Sequence, residues 1–299
     1  MDNKRFADSN ILITGASGYI GKELKIFLSN KNFNVKCSSG DLSKKEIWEE
    51  NLSANVDYIF HLAATEGENK NLAMNSTSVL NLLNVCVDRK IKPKIILASS
   101  TNLFGATDLE VVDETSSSLI LSEFSAHKLL AENYLKLFYQ KYHIPSLILR
   151  IPNVYGPSSI KSNFNRSTVN KVIKLALEGA KLKLFNNRGC LRDFLYIDDI
   201  VNAFYLSGGL DSKYYKGNFY LLGSNSTSSI EDVWKVIRNK TNSSDFIIDN
   251  KNMLSPMEYR SFICNSSKFR DLSSWTDKVP LNKGIDLTIE YLQSDTENI

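Results

Sequence analysis

The sequence is poor in several features, and each shortage narrows the field. No run of about 18 apolar residues occurs in its 299 residues, so the pattern contains no membrane-spanning helix. The first ten residues, MDNKRFADSN, hold no apolar stretch of the secretory-leader kind. A cytoplasmic protein with no membrane partner is expected. Charge of one sign is also missing: 36 Lys and Arg face 33 Asp and Glu, a net +3, which argues against a nucleic-acid partner. The four cysteines, Cys37, Cys86, Cys190 and Cys264, never fall at CxxC spacing, and the three histidines form no ligand pattern. Free thiols and no metal are the expectation. Proline is scarce while Asn, Lys and Ser abound, which reads as coding bias rather than function.

What is present is a regular alternation. NILITGA reads as a strand, GYIGKELKIFLSNK as an amphipathic helix, and FNVKCSS and VDYIFHLAA as further strands. The helix STSVLNLLNVCVDRK follows, then the buried strands KIILASS and PSLILRIPNV, with a long helix between them. Short apolar runs alternating with helical patterns predict an α/β fold with a parallel sheet covered on both faces. After NVYGP the pattern loosens, through VIKLALEGA, LKLF and RDFLYIDDIVNAFYLSG. The division expected is a Rossmann-type domain over 1–157 plus about 188–215. A smaller substrate lobe then covers about 158–187 and 216–299.

Gly15, Gly18 and Gly21 stand between the first strand and the first helix. Glycine there allows positive φ and close approach of backbone to a pyrophosphate, and the helix N-terminus offers free N–H groups to it. In this strand-turn-helix context the turn predicts dinucleotide binding.

The spacing GxxGxxG, together with HLAA at 61–64, resembles the extended short-chain dehydrogenase/reductases that act on nucleotide sugars, the NAD-dependent epimerase/dehydratase family. The likeness runs over nearly the whole chain. It assigns Gly15, Ser17, Gly18, Tyr19, Ile20 and Gly21 to the cofactor, with Leu62, Ala63 and Ala64 beside them. GDL resembles the adenine loop, giving Asp41 and Leu42, and Asn75 matches an Asn that orders the central sheet. An acid at the end of the second strand would select NAD by binding the ribose 2′-OH. Here Cys37, Ser38 and Ser39 stand instead, with Lys36, Lys44 and Lys45 near, so the cofactor is NAD or NADP with the balance toward NADP and Ser39 as a donor.

The resemblance also sets out a proton relay. ILASSTNLFG is similar to the family's SSxxxYG, which makes Ser100 the hydroxyl that bonds the reacting sugar oxygen, with Thr101 next to it. Nucleotide-sugar 4,6-dehydratases carry an Asp-Glu pair where Thr101 and Asn102 stand, so elimination of water is not expected. FSAHK resembles YxxxK, whose Tyr and Lys at i and i+4 share a helix face so that the ammonium lowers the phenol's pKa. Lys128 and the following LLAE fit; Phe124 lacks the phenolic oxygen. Losing a positioned acid costs about 10²–10⁴ in rate. Three explanations stand side by side: a constructed Tyr-to-Phe variant of a working enzyme, a natural pseudoenzyme, and an enzyme with a substitute acid such as His127. The intact motifs around Phe124 favour the first.

LRIPNVYGP resembles RxxNVYGP, which brings Ile151 to the nicotinamide and Asn153 to the cofactor and the substrate diphosphate. GCLRDFLYIDDI resembles RDFxYVDD, with Arg192 reaching the nucleotide; Arg260 resembles a later phosphate clamp. Asp198 and Asp199 are expected to cap the following helix. The implied activity is NAD(P)-dependent redox chemistry on a nucleotide-diphosphate hexose, as a 4-keto reductase or 4-epimerase. A non-catalytic nucleotide-sugar or dinucleotide sensor is the rival. The family often dimerises through helices around 77–90 and 125–142, so a homodimer is the default.

Overall fold

The computed structural model describes residues 6–65, 71–224, 226–243, 245–250 and 253–296; the first five residues of the N-terminal segment lie outside these. The opening strand β1 (Asn10–Thr14) is nearly all buried, and β2 (Asn34–Cys37), β3 (Tyr58–His61) and β4 (Lys94–Ser100) lie parallel to it. The strands β5 (Ser146–Ile151) and β6 (Lys216–Leu221) complete a six-stranded parallel sheet of order β6-β5-β4-β3-β1-β2. Chain order reverses at β1, between β2 and β3. A crevice opens at such a switch point because the loops leaving the two strands diverge.

The sheet is buried on both faces because its apolar residues alternate sides without a polar break. Ile11 and Ile13 join one core with Phe60, Ile96 and Ala98; Leu12 joins the other with Ile59, Ile95 and Leu97. The helix α1 (Tyr19–Asn30) buries Leu24 and Leu28 on the first face, and Asn32 ends it with φ of 62°. The opposite face carries α2 (Lys45–Asn51), α3 (Met74–Asp88) and α4 (Glu123–Tyr142). Fully burying a side chain such as Leu12 or Phe60 contributes about 1.5–3 kcal/mol relative to exposure.

The smaller lobe contains α5 (Thr168–Leu177) and, after α6 (Ile197–Gly208) has returned to pack on α1, α7 (Ile230–Thr241) and α8 (Leu281–Thr296). Short two-stranded pairs stitch it together. The parallel architecture agrees with the sequence reading, with two differences. The expected lobe boundary at 215/216 fails because Lys216–Leu221 is the edge strand of the main sheet, paired to β5. The run PSLILRIPNV also divides: β5 ends at Ile151, and Asn153–Tyr155 pairs with Phe194–Tyr196 instead. Pro152 has no N–H to continue the ladder, so the chain turns into the second lobe there.

Asp198 and Asp199 lie in the first turn of α6, which Tyr196 begins with no side-chain cap. The Asp199 carboxylate accepts from the backbone N–H groups of Lys278 and Val279, while its carbonyl accepts from Trp275 Nε1. It latches the closing segment rather than capping a helix.

Candidate active site

The turn after β1 has the geometry its glycines imply. Gly15 has φ of 69°, and a Cβ there would lie 2.6 Å from the Ala63 nitrogen; a Cβ on Gly21 would lie 2.2 Å from the Gly15 oxygen. The Gly18 N–H donates to that oxygen, and no side chain caps the start of α1, so its N–H groups face the crevice. Parallel register sets Thr14 beside His61. Thr14 Oγ1 accepts from Ala63 N–H and donates to His61 Nδ1, leaving Nε2–H for Ser78. Burial, aided by the charge of Lys128, pushes the His61 pKa down to about 3. This neutral imidazole fixes the HLAA segment against the turn. Asn75 holds Thr65 through paired amide bonds.

Two cavities meet here, of about 500 and 440 Å³, and share Gly15, Ser17, Ala63 and Met74 as walls. The larger is lined by Gly18, Tyr19, Ile20, Gly21, Leu62, Ala64, Ser100, Phe124, Lys128, Ile151, Asn153 and Arg260, all named from the sequence. Ser39 and Leu42 line the smaller one. Among the described residues no Asp or Glu lines either, whereas Lys25, Lys128, Arg166 and Arg260 do. Four cations without a carboxylate, beside a glycine turn and an uncapped helix start, suit ligands carrying phosphates, and a nicotinamide dinucleotide fits that donor set.

Ser100 ends β4 beside Ile151, and its hydroxyl accepts from the Asn102 N–H while keeping its own proton to donate. Lys128 is buried; its ammonium donates to the Ala98 carbonyl at 2.8 Å and stands 5.8 Å from the Phe124 ring centroid. Ser100, Phe124 and Lys128 thus face one space. Behind them Glu132, one turn beyond Lys128, accepts a bidentate pair of hydrogen bonds from Arg150 at 3.0 and 2.7 Å and another from the Ser99 hydroxyl. Arg150 is sandwiched by Phe219 and Phe104. This buried cluster ties β4, β5 and α4 together directly under the site.

Four expected residues sit elsewhere. Asp41 is exposed and accepts from the N–H and hydroxyl of Ser43, bonds that lower its pKa, rather than facing the smaller cavity. Thr101 is buried behind Ser100 and lines neither cavity. Arg192 is 6% exposed, and its guanidinium donates to the carbonyls of Leu191, Glu258 and Arg260. Burial pulls its pKa down, and its donors serve the protein's own backbone. His127 lies outside the cleft, donating from Nδ1 to Ser76 on α3 at 3.0 Å. Arg260 does reach the cleft, where it donates to Asn153 Oδ1, and the Asn153 amide donates to the Asp193 carbonyl. Sequence reading missed Lys25, Met74, Arg166 and Phe194 as wall residues. Lys25 was discoverable, because it stands four positions after Gly21 on the helix face above the turn. Arg166 and Phe194 come from the second lobe, whose approach no local pattern announces.

Residues 11–209 match the model of the NAD dependent epimerase/dehydratase family. A dTDP-D-glucose 4,6-dehydratase of Dictyostelium discoideum is 29% identical over 274 residues, covering 77% of this chain and 61% of that protein. The chain spans about half the length of two trifunctional Arabidopsis thaliana proteins that it also matches. Among solved structures, a UDP-glucose 4-epimerase with UDP-glucose from Thermotoga maritima superposes with a TM-score of 0.86 at 23% identity, covering 96% of this chain and 99% of that one. RMD from Pseudomonas aeruginosa, complexed with NADPH, gives 0.81 at 18% identity, over 96% and 99% of the two chains.

Proposed function

The chain belongs to the NAD-dependent epimerase/dehydratase family, and from that premise we propose that it binds a nicotinamide dinucleotide and a nucleotide-diphosphate hexose in the joined cavities. We read it as a nucleotide-sugar oxidoreductase, 4-keto reductase or 4-epimerase in type, whose turnover Phe124 suppresses, as a Tyr-to-Phe variant would be. The observation that carries this reading is that Ser100, Phe124 and Lys128 line one cleft with the phosphate turn and Arg260. A bound nicotinamide supplies hydride transfer at the sugar. The chain's own part is to seat the phosphates on the turn, hold the reacting oxygen on the Ser100 hydroxyl, and keep the Lys128 charge beside it. Phe124 keeps the shape of the wall but cannot carry a proton. Dehydration is set aside: loss of water from a sugar needs a positioned acid and base, Thr101 and Asn102 carry no carboxyl, and no carboxylate among the described residues lines the cleft. The missing acid at the end of β2 leans the cofactor toward NADP.

The test is Phe124→Tyr. The parent chain is expected to bind UDP-hexoses and dinucleotide with little turnover, and the variant to gain about 10²–10⁴ in kcat for 4-epimerisation or 4-keto reduction. A tightly retained, unconsumed cofactor would identify the epimerase; stoichiometric consumption of NADPH would identify the reductase. One observation favours the second reading, a non-catalytic ligand sensor: His127, the nearest alternative acid, faces α3 rather than the cleft. Unchanged ligand binding without turnover in Phe124→Tyr would decide for the sensor. We extend the reading to a homodimer through α3 and α4, supported by the exposure of Leu130 and Leu137 on α4. Light scattering of the purified chain tests it.

A further inference from the structure

The smaller cavity lies at the end of β2, where dinucleotides of this fold class are distinguished by the ribose 2′ position. Its walls include Lys25, Cys37, Ser38 and Ser39 and, among the described residues, no carboxylate. A 2′-hydroxyl needs an acceptor there; a 2′-phosphate, nearly a dianion at neutral pH, needs a cation and donors. Three lysines stand near in sequence, but none serves. Lys36 Nζ donates to the Asn51 carbonyl, Lys45 pairs with Asp88 at 2.7 Å, and Lys44 is exposed and outside the cavity.

Lys25 is different. It rises from α1 on the face of Gly21, half-buried, and makes no hydrogen bond or ion pair among the described residues. Opposite it the backbone of Ser39 is fixed on both sides by the Asn51 amide, at 3.0 Å each way. Neither the Ser38 nor the Ser39 hydroxyl bonds to protein among the described residues, so both remain available to a ligand.

We propose that Lys25, with the hydroxyls of Ser38 and Ser39, forms the seat of a ribose 2′-phosphate and makes this chain selective for NADPH over NADH. The assignment rests on the reading of the cleft as a dinucleotide site. The cation of the seat comes from a helix residue, while the strand-end loop supplies only the hydroxyls. Asn51 is a positioning residue for it, since it holds the Ser39 backbone and does not line the cavity itself.

Isothermal titration of the full chain with NADPH, NADH and 2′,5′-ADP tests this without reference to turnover. The parent chain should bind NADPH about tenfold or more tighter than NADH, the scale of one charge-assisted contact. Lys25→Met should erase that preference, Lys25→Glu should reverse it, and Lys25→Arg should retain it, with thermal melts showing all three folded. Affinity for 2′,5′-ADP should fall in Met and Glu and survive in Arg. Equal binding of NADH and NADPH by the parent, or a preference untouched by Lys25→Met, would overturn the assignment while leaving the dinucleotide site in place. Failure of the folded parent to bind any of the three probes would overturn both.

Discussion

The two ends of the cleft are built on different principles. At the phosphate turn, recognition belongs to the backbone: Gly15 and Gly21 permit a path that a Cβ would obstruct, Gly18 leaves little room for one, and α1 begins without a side-chain cap. At the substrate end it belongs to side chains, and side chains have other partners available. Arg192 and Arg260 look alike in sequence, yet Arg192 is drawn into three backbone carbonyls and Arg260 reaches Asn153 in the cleft. A backbone site can hardly be diverted once the turn folds. A guanidinium can be diverted by any nearby loop that leaves carbonyls unpaired.

The strongest way to disturb both ends at once is to break what lies under them. Glu132→Ala removes the carboxylate that accepts from Arg150 Nε and Nη2, and the partner of Ser99, leaving the buried Arg150 only the Ser118 hydroxyl at 3.2 Å. An uncompensated buried charge costs about 3–5 kcal/mol, so urea denaturation should show a loss of that size. Arg150 Nη1 already lacks a partner, and the neutral Ser118 hydroxyl cannot balance the charge, so little softens it. A loss below about 1 kcal/mol would mean water reaches Arg150 and the cluster is not the shared foundation of the two ends.

The arginine pair sharpens the contrast directly. Arg192→Ala should destabilise the fold by at least about 2 kcal/mol, since several buried carbonyls lose their donor, while UDP binding to the folded fraction changes little. Arg260→Ala should do the reverse, weakening UDP about tenfold with a small change in the denaturation midpoint. If Arg192→Ala instead leaves stability intact and abolishes UDP binding, the substrate end rearranges when occupied.

How much could be read from the sequence follows the same division. The parallel sheet, its helices and the turn were legible because strand and helix periodicities and glycine spacing are local signals. The fate of Arg192 was not, because the carbonyls of Glu258 and Arg260 that capture it lie more than sixty positions away. Asp41 stands outside the smaller cavity for a local reason: its carboxylate closes a turn on Ser43. Lys25 and Arg166 went unseen because a lone cation on a helix or loop is normally just solvated. The strand Lys216–Leu221 was assigned to the wrong body because sheet membership depends on partners distant in sequence.

Asp193 provides a pH probe of the substrate end. Burial pushes its carboxyl up to about 6 from a usual 3.8, partly offset by the N–H and hydroxyl of Ser224, with Asp277 raising it and Arg270 lowering it. One carboxylate oxygen has no partner. A folded-state value above the unfolded one means the native state holds the proton more firmly. This contribution to stability is therefore full below about 3.8 and is lost as pH rises through about 6. Asp193→Asn keeps an acceptor for Ser224 and removes the titration. Its stability relative to the parent should rise between pH 5 and 7.5, by an amount on the order of 2 kcal/mol at most. Parallel pH profiles for the two proteins would show that the carboxylate is solvated and does not stiffen the Asn153 frame.

The smallest effect is expected at His127, and it bears on why Phe124 has no substitute. Residues advance about 100° per position around a helix. Lys128 thus lies about 40° from Phe124 and His127 about 60° on the other side, roughly 100° from the ammonium. That rotation is enough to take the imidazole out of the cleft and onto Ser76, whose hydroxyl donates to Ala73 and so accepts from Nδ1. His127→Ala should cost stability only about 1 kcal/mol, the worth of one partly exposed hydrogen bond. In a Phe124→Tyr background it should change kcat/KM by less than about threefold, against the 10²–10⁴ expected of a positioned acid. A larger loss there would require the first turns of α4 to rotate on ligand binding, bringing His127 to the place the phenylalanine leaves without a proton.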